Sequence, residues 1–357
     1  MKLKHWIKIV VFCLIGFLIT AFASSLFCVA NEKDAVGVYG FFKEPKDSLD
    51  VVMIGASSMY SYFYSPLAYS EQGFTSYSLA TSTMTAPLYK YAAEIAIEEQ
   101  HPQLLIFETW SFCYDIQVDE TSFRKFLDAL PDSEIKQRAI NEIVPEDLQE
   151  SFRYPFLKYH SSWDRIGECI AVMQDKMDMD KQGYSITKNF ATTPNCLENI
   201  RQTGTYNVSE EGMKYLQILL DYLKEADIEN VLFVRYPEMI NYETTDSYGQ
   251  MIEMIRDAGF DFVNLNGAIE DMGLEKGHDF YNTTHTNIFG AEKFTTFFAD
   301  YIMKRYQLNT EHSQEVTEEW DHCASYNDQV IAYLEELTEN NANGYLYTQR
   351  DLLNITD

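Results

Sequence analysis

The sequence is poor in basic residues, with 27 Lys and Arg against 55 Asp and Glu among 357 residues. The formal net charge of −28 repels phosphate backbones, which argues against nucleic acid as a partner. Proline and glycine are also scarce, at 9 and 16 residues, whereas 46% of the residues are hydrophobic. Disordered and collagen-like chains are therefore excluded, and the length suits one large α/β domain with insertions or two ordinary domains.

The common cofactor and metal motifs are missing as well. The sequence contains no P-loop, no Rossmann glycine set and no HExxH motif. Its 6 cysteines include no CxxC pair, and its 7 histidines are scattered along the chain. We therefore expect neither a cofactor nor a metal ion.

One long hydrophobic run lies near the amino terminus. Lys2, Lys4 and Lys8 precede 22 uncharged residues, Ile9–Ala30. At 1.5 Å per residue this run spans about 33 Å, enough to cross a bilayer core of about 30 Å. The basic residues before it predict a single-pass cell-membrane protein with a cytoplasmic amino terminus and an extracellular main domain. The alternative is a signal peptide cleaved after Ala21-Phe22-Ala23, and we prefer the anchor because the apolar sequence continues past that site.

Beyond the anchor (residues 1–30) and a polar segment interpreted as a linker (residues 31–48), strand and helix patterns alternate. Five β-branched runs predict a parallel sheet: Asp50–Ile54, Thr75–Leu79, Leu104–Glu108, Val231–Arg235 and Asp261–Leu265. Helical patterns lie between them: Pro87–Gln100, Glu210–Ala226, Asp246–Ala258 and Phe289–Tyr306. The alternation predicts an α/β domain, residues 49–306, built as a three-layer α/β/α sandwich.

Two segments depart from this alternation. Residues 111–207 show no strand-helix unit and are interpreted as a largely helical, aromatic-rich insertion at the sheet edge where open α/β sheets bind ligands. Residues 307–357 form an acidic extension with a helical pattern over Thr317–Thr338. We expect that helix to pack on the domain through its apolar stripe and to be followed by a frayed tail.

The segment Val51–Met59 combines a strand, a small-residue turn and a helix start. Ser57 would lie at the strand's carboxyl end, where its hydroxyl is exposed and its N–H can bind an oxyanion. His285 lies in a polar loop before the last helix, and that loop returns to the same sheet edge. We therefore expect the two side chains to meet, as a hydroxyl and its base must in nucleophilic catalysis. Alternatively, the serine only caps the helix.

The two blocks, G-x-S-S after the first strand and N-x-x-H-x-N-x-x-G-A-x-K before the last helix, resemble the SGNH (GDSL-like) hydrolase superfamily. The chain looks most similar to the membrane-anchored cell-envelope branch of Gram-positive type, akin to the DltD and AlgX/AlgJ proteins. The resemblance covers about residues 50–306, apart from the insertion. It implies a flavodoxin-like fold with a five-stranded parallel sheet, Ser57 as nucleophile and His285 as general base.

Three positions depart from the superfamily pattern. Asn282 stands where the superfamily has the triad aspartate, and an amide can orient the imidazole but cannot offset its positive charge. Asp279 is the candidate to replace that charge. Ala80 stands at the oxyanion glycine, so its N–H would act together with that of Ser57. Ser111 lies nearest to the place of the missing third-block asparagine and would be a weaker oxyanion donor.

Three further residues are candidates for substrate binding. Glu108 and Arg235 end the third and fourth strands at the same edge of the sheet. Glu108 could orient the histidine or bind substrate, and Arg235 could bind a phosphate or carboxylate. His160, within the insertion, is a candidate to line its cleft. The alternatives are a helix cap for Glu108, an internal ion pair for Arg235 and a structural role for His160.

Together these features predict an exported, membrane-tethered serine esterase or O-acyltransferase. Its substrate would be an acyl ester, such as an acetyl or D-alanyl ester, of a cell-envelope polysaccharide or teichoic-acid-like polymer. Transfer instead of hydrolysis would imply a membrane acyltransferase as partner, an expectation that comes from the resemblance alone. The altered blocks leave open a catalytically inactive SGNH-like scaffold that binds polysaccharide or that membrane partner.

Overall fold

The computed structural model describes residues 2–27, 32–167, 169–170, 203–226, 228 and 230–339. The chain is an α/β protein whose strands in this part are β1 (Val51–Gly55), β2 (Ser76–Ala80), β3 (Leu104–Glu108), β4 (Thr203–Tyr206), β5 (Val231–Arg235), β6 (Asn241–Thr244) and β7 (Asp261–Asn264). Five of them form a parallel sheet in the order β2-β1-β3-β5-β7. All five predicted strands are confirmed.

The helices of the described part are α1 (Lys2–Phe27), α2 (Glu32–Phe41), α3 (Ser57–Tyr62), α4 (Ser65–Gln72), α5 (Tyr89–Gln100), α6 (Glu120–Leu127), α7 (Glu134–Ile143), α8 (Gln149–Arg153), α9 (Phe156–Tyr159), α10 (Glu210–Glu225), α11 (Asp246–Asp257), α12 (Ile288–Tyr306) and α13 (Gln314–Glu339). Side-chain caps fix several of the helix starts. Ser209 accepts from the N–H of Gly212 before α10, and Asn287 accepts from that of Gly290 before α12. The four predicted helices are confirmed.

Both faces of the sheet are covered by apolar packing. Alternate residues of the central strands enter two different hydrophobic clusters: Val52, Ile54, Leu105 and Phe107 join one, and Val51, Met53, Leu104 and Ile106 join the other. This explains why these strands are continuous hydrophobic runs instead of alternating patterns. Of the two edge strands, β2 is buried and β7 is partly exposed.

The predicted linker is wrong for most of its length. Residues 32–41 form α2, and Val38 and Phe41 on it are fully buried in the core. Phe41 packs edge-on against Tyr77 of β2 at 5.4 Å between ring centroids, and the Tyr77 hydroxyl donates to Gly37 O at 2.7 Å. The prediction failed because the segment begins with charged residues, although one face of the helix that follows is apolar.

The insertion is largely helical where it is described, with α6 to α9 between residues 120 and 159. Its predicted residues 168 and 171–202 lie outside the described part. It ends in β4, which pairs in parallel with β6 to make a second, two-stranded sheet. This small sheet was not predicted, because both strands are short and polar in sequence.

The carboxyl-terminal extension contains the predicted helix. α13 packs against α4 and α12 through a small cluster that includes Cys323 and Tyr326 together with Tyr64 and Ile288. Trp320, also on α13, is buried beside Tyr69 at 5.4 Å between ring centroids. The predicted tail, residues 340–357, lies outside the described part.

Within the described residues, one helix is long and apolar enough to cross a membrane. The span is Lys4–Phe22 in α1, 19 residues long, and its side chains are exposed to the surroundings. A signal sequence near an amino terminus has the same length and composition. The fold therefore includes an apolar amino-terminal helix, and its retention and orientation belong to the proposal below.

Candidate active site

The candidate site lies where the sheet topology changes direction. β1 pairs with β2 on one side and with β3 on the other, so the chain leaves β1 towards one edge and then crosses back. Open α/β sheets bind ligands beyond the carboxyl ends of the strands at such a point. A cavity of about 270 Å³ opens there, with walls from the residues that follow β1, β3 and β5 and from the loop before α12.

Ser57 and His285 meet in this cavity, as the topology predicts. Ser57 is the first residue of α3, and its Oγ lies 2.7 Å from His285 Nε2. The histidine loop is tied to α3 because the Thr286 hydroxyl donates to Ser61 O at 2.6 Å. The loop is closed by an antiparallel bridge between Phe280 and Thr286. Residues 228 positions apart are thereby held within hydrogen-bond reach.

Asn282 orients the imidazole from the other side. Its Oδ1 lies 3.0 Å from His285 Nδ1 and also accepts from Thr284 N at 2.9 Å. If Nε2 accepts the Ser57 hydroxyl proton, Nδ1 carries the ring proton and donates it to Asn282 Oδ1. The three side chains therefore form one continuous hydrogen-bonded chain, with a neutral amide in the place of a carboxylate.

The charge state of His285 follows from its surroundings. Burial lowers the pKa of the imidazole to about 4. The Tyr281 ring stacks beside it at 5.4 Å between centroids and brings no charge. His285 is therefore neutral at pH 7, the form in which it can accept a proton, but the imidazolium that forms on accepting one is poorly stabilised.

The prediction that Asp279 replaces the triad aspartate is wrong. Its side chain is fully buried and accepts from Glu275 N at 2.7 Å, from His278 Nδ1 at 2.6 Å and from Lys293 Nζ at 2.8 Å. Both carboxylate oxygens are therefore occupied. The adjacent histidine and a lysine of α12 hold Asp279 in a structural role.

The predicted oxyanion residues differ in their placement. Ala80 ends β2 opposite Gly55 and is buried, and it does not line the cavity. Thr83, with a left-handed φ of 57°, lines the cavity from the following loop and was not predicted. The prediction for the Ser111 hydroxyl is wrong, because that hydroxyl is buried between Met84 O, to which it donates at 2.6 Å, and the Tyr89 hydroxyl at 2.7 Å.

Glu108 lies beneath the serine turn. Its Oε2 accepts from Ala56 N at 3.2 Å and from Ser58 Oγ at 2.5 Å, so the expectation that it orients His285 is wrong. This approach requires Gly55, since a Cβ there would lie 2.8 Å from Glu108 Cβ. Burial raises the pKa of Glu108 to about 7. Because it lines the cavity, its role in substrate binding stays a prediction.

Arg235 lies deeper along the same wall, next to a residue that was not predicted. Its guanidinium lies 3.8 Å from the centroid of the Tyr206 ring, and its Nη2 is 3.7 Å from Glu238 Oε2. Both charged side chains are buried and line the cavity. Burial and the nearby Glu108 raise the pKa of Glu238 to about 8, although Arg235 opposes the shift. Only its position shortly after a strand's carboxyl end could have pointed to Glu238.

His160 does not belong to this site. It is exposed at the end of α9, its Nδ1 lies 2.9 Å from Leu157 O, and it does not line the cavity. Aromatic rings of Trp110, Tyr114, Tyr206 and Tyr236 line the cavity instead. The sequence shows that the insertion is rich in aromatic residues, but it does not predict which rings line the cavity.

Comparison with known proteins does not assign a function to the site. No protein-family profile, no curated protein and no solved structure matches the chain. In the part of the chain that the structure describes, no three His, Cys, Asp or Glu side chains are grouped to hold a metal ion. The function is therefore argued from the residues of the cavity.

Proposed function

We propose that the protein is an exported, membrane-tethered serine esterase or O-acyltransferase of SGNH type that acts on acyl esters of a cell-envelope glycopolymer. The observation that carries the proposal is the hydrogen-bonded chain from Ser57 through His285 to Asn282 at an open cavity. A hydroxyl held by a neutral imidazole, with a third group fixing the ring, is the arrangement that activates a serine.

In this proposal the Ser57 hydroxyl attacks the ester carbonyl while its proton passes to His285 Nε2. The backbone N–H of Ser57, at the start of α3, binds the oxyanion. The bond between the ester carbon and the sugar oxygen then breaks, and the imidazolium gives its proton to that oxygen, so that the sugar leaves as an alcohol and the acyl group stays on Ser57. Water completes hydrolysis, or a second sugar hydroxyl completes transfer. Asn282 offers no charge to the imidazolium, so we expect slow turnover.

The surroundings of the site support this assignment in two ways. Apolar clusters on both faces of the parallel sheet fit a three-layer α/β/α sandwich of SGNH type. The cavity of about 270 Å³ lies near the lower end of the roughly 300–1,000 Å³ found for ligand sites, which suits a small acyl group with the polymer outside. The apolar α1 would tether the domain to the membrane face where such polymers lie.

A second candidate is a catalytically inactive scaffold that binds polysaccharide or a membrane acyltransferase. It is favoured by the setting of His285: burial lowers its pKa to about 4, and among the described residues the ring is oriented by the amide of Asn282 and not by a carboxylate. A site of this kind can keep its geometry after losing its activity. The aromatic wall that includes Trp110 would then stack on sugar rings.

The two candidates are separated by active-site labelling of the full chain in detergent. We expect a fluorophosphonate probe to label the protein, and Ser57→Ala to abolish both the labelling and the cleavage of p-nitrophenyl acetate. Ser58→Ala is the matched control, because the Ser58 hydroxyl donates to Glu108 instead of facing His285. If the unmodified chain is not labelled although its circular dichroism shows that it is folded, the scaffold is favoured.

A further inference from the structure

The part of the cavity next to the serine holds two carboxyl groups with unused hydrogen-bonding capacity. Within the described residues, Glu108 Oε1 and Glu238 Oε2 have no hydrogen-bond partner. Glu108 is 1% exposed and Glu238 8% exposed, and both line the cavity. A buried polar atom without a partner is costly, so it indicates a position that a ligand fills.

The charges around this cluster are unequal. Arg235 supplies one positive charge, whereas Glu108 and Glu238 supply two carboxyl groups. Burial raises the pKa of both carboxyl groups, and the nearby Glu108 adds to the rise at Glu238, although Arg235 opposes it. Near pH 7 a proton therefore occupies one of the two carboxyl groups. A ligand that brings a positive charge can take the place of that proton.

The other titratable groups around Glu238 are neutral at this pH. Tyr62, Tyr206 and Cys113 interact with it electrostatically, and burial raises the pKa of each of these groups well above neutrality. The remaining charged neighbours are Arg235 and Glu108. His285 belongs to the other part of the cavity, and its pKa is set by burial. The excess negative charge is therefore confined to the end formed by Glu108 and Glu238.

We infer that Glu238, with Glu108, forms a subsite for a primary ammonium group carried by the substrate close to its ester. The inference rests on the proposed function for the identity of the reacting bond, but the binding itself does not need Ser57 to react. The ammonium donates hydrogen bonds to Glu108 Oε1 and Glu238 Oε2, which make no hydrogen bond within the described residues. The ammonium can be part of the acyl group, as in an aminoacyl ester, or of the sugar, as in an amino sugar without an N-acetyl group.

Binding is tested by isothermal titration of the full-length Ser57→Ala variant, in which no ester is cleaved. Methyl glycinate is compared with methyl propionate, in which a methyl group replaces the ammonium, and methyl glucosaminide with methyl glucoside. We expect the ammonium member of one pair to bind at least tenfold more tightly. The pair that shows the preference identifies the acyl group or the sugar as its source. Equal binding within both pairs would overturn the inference.

The role of Glu238 is tested in the same assay with Glu238→Gln, which keeps the shape of the side chain. We expect the ammonium preference to fall to less than threefold, whereas Glu211→Gln, an exposed glutamate on α10, leaves it unchanged. A preference that survives in Glu238→Gln would contradict the assignment. Ammonium binding without any fluorophosphonate labelling would uphold the subsite and reject the esterase.

The pH dependence provides a readout that a structural role would not move. The carboxyl group of Glu238 must lose its proton to bind the cation, and burial raises its pKa to about 8. Affinity for the ammonium ligand should therefore rise from pH 6 to pH 7, by at most about tenfold, below the range near pH 8 in which the ligand's own amine loses its proton. The neutral ligand should show no such rise, and the rise with the ammonium ligand should be smaller in Glu238→Gln, where only Glu108 remains to lose a proton.

Discussion

A histidine from a distant part of the chain lies at each end of β1, and the two histidines have different hydrogen-bond partners. Before β1, His312 Nε2 lies 2.8 Å from Asp50 Oδ2, which also accepts from Thr75 N at 2.9 Å. Gln103 Nε2 donates to the other carboxylate oxygen at 2.6 Å. At the amino end of the strand, therefore, a carboxylate is saturated with donors and ties three segments together.

At the carboxyl end of β1 the arrangement is incomplete. His285 has a neutral amide behind it, a serine hydroxyl in front and an open cavity beside it. Within the described part of the chain, one oxygen of each of two carboxyl groups in that cavity makes no hydrogen bond, although Glu238 Oε2 lies 3.7 Å from Arg235 Nη2. The comparison teaches that polar groups at the amino end serve packing and stability, whereas those at the carboxyl end retain capacity for a ligand.

The largest effect is expected from giving the carboxyl end the charge that it lacks. Asn282→Asp places a carboxylate 3.0 Å from His285 Nδ1, which raises the pKa of the imidazole above about 4 and stabilises the imidazolium. Triads that lose this aspartate lose about 10⁴-fold in kcat, so we expect a gain of the order of 10²-fold or more in kcat/KM for p-nitrophenyl acetate. Asn282→Leu is the control and should lose activity. An unchanged rate in Asn282→Asp would show that charge at this position is not what limits the site.

The amino end should respond in stability and not in activity. Asp50→Asn removes the carboxylate that accepts from Thr75, Gln103 and His312 and should cost about 3 kcal/mol of unfolding free energy. That corresponds to a decrease in Tm of about 4 °C by differential scanning fluorimetry. Asp300→Asn, at an exposed ion pair, should change Tm by about 1 °C or less. A fall in esterase rate at temperatures where Asp50→Asn is folded would blur the distinction between the two ends.

The pH profile of the reaction tests the neutral partner of His285. With a pKa of about 4, the imidazole is already in its base form at pH 5. We expect kcat/KM for p-nitrophenyl acetate to be constant from pH 5 to 6.5 and to fall about tenfold per pH unit below 4. In Asn282→Asp this fall should begin at higher pH. A half-maximal rate near pH 6.5 in the unmodified chain would be at odds with the buried, uncharged setting of the ring.

The smallest effect is expected at the serine next to the candidate nucleophile. Ser58→Ala removes the hydrogen bond to Glu108 Oε2 and leaves that oxygen with the N–H of Ala56. We expect a loss of about 1 kcal/mol in stability and less than about a threefold change in hydrolysis of a neutral ester. Urea unfolding and initial rates measure the two quantities. A loss of activity as large as that of Ser57→Ala would mean that the two hydroxyls are not separate in function.

The sequence predicts the sheet well because its strands are buried on both faces and appear as continuous apolar runs. The meeting of Ser57 and His285 follows from that topology, since both lie at the carboxyl ends of parallel strands. The predictions failed where tertiary partners decide. Asp279 has the spacing of a loop carboxylate near His285, but Lys293 on α12 and the adjacent His278 bind it first.

Other features gave no local signal. α2 begins with charged residues, and its buried side chains, Val38 and Phe41, become visible only against the tyrosine of β2. Glu238 follows a proline after β5, and its burial comes from packing around Arg235 and Tyr206. A glutamate in a loop is usually solvated, so only the folded chain identifies it as part of the site.

The stacking of Tyr206 on Arg235 has a practical consequence for protein engineering. Tyr206 is the last residue of the insertion's strand, yet its ring covers the guanidinium at the floor of the cavity. A shortened version that lacks residues 111–207 would also lack the Tyr206 ring. The Arg235 guanidinium would then be exposed to water at the cavity. Any trimmed form for crystallisation must keep the segment from Thr203 to Tyr206 and its pairing with Asn241–Thr244.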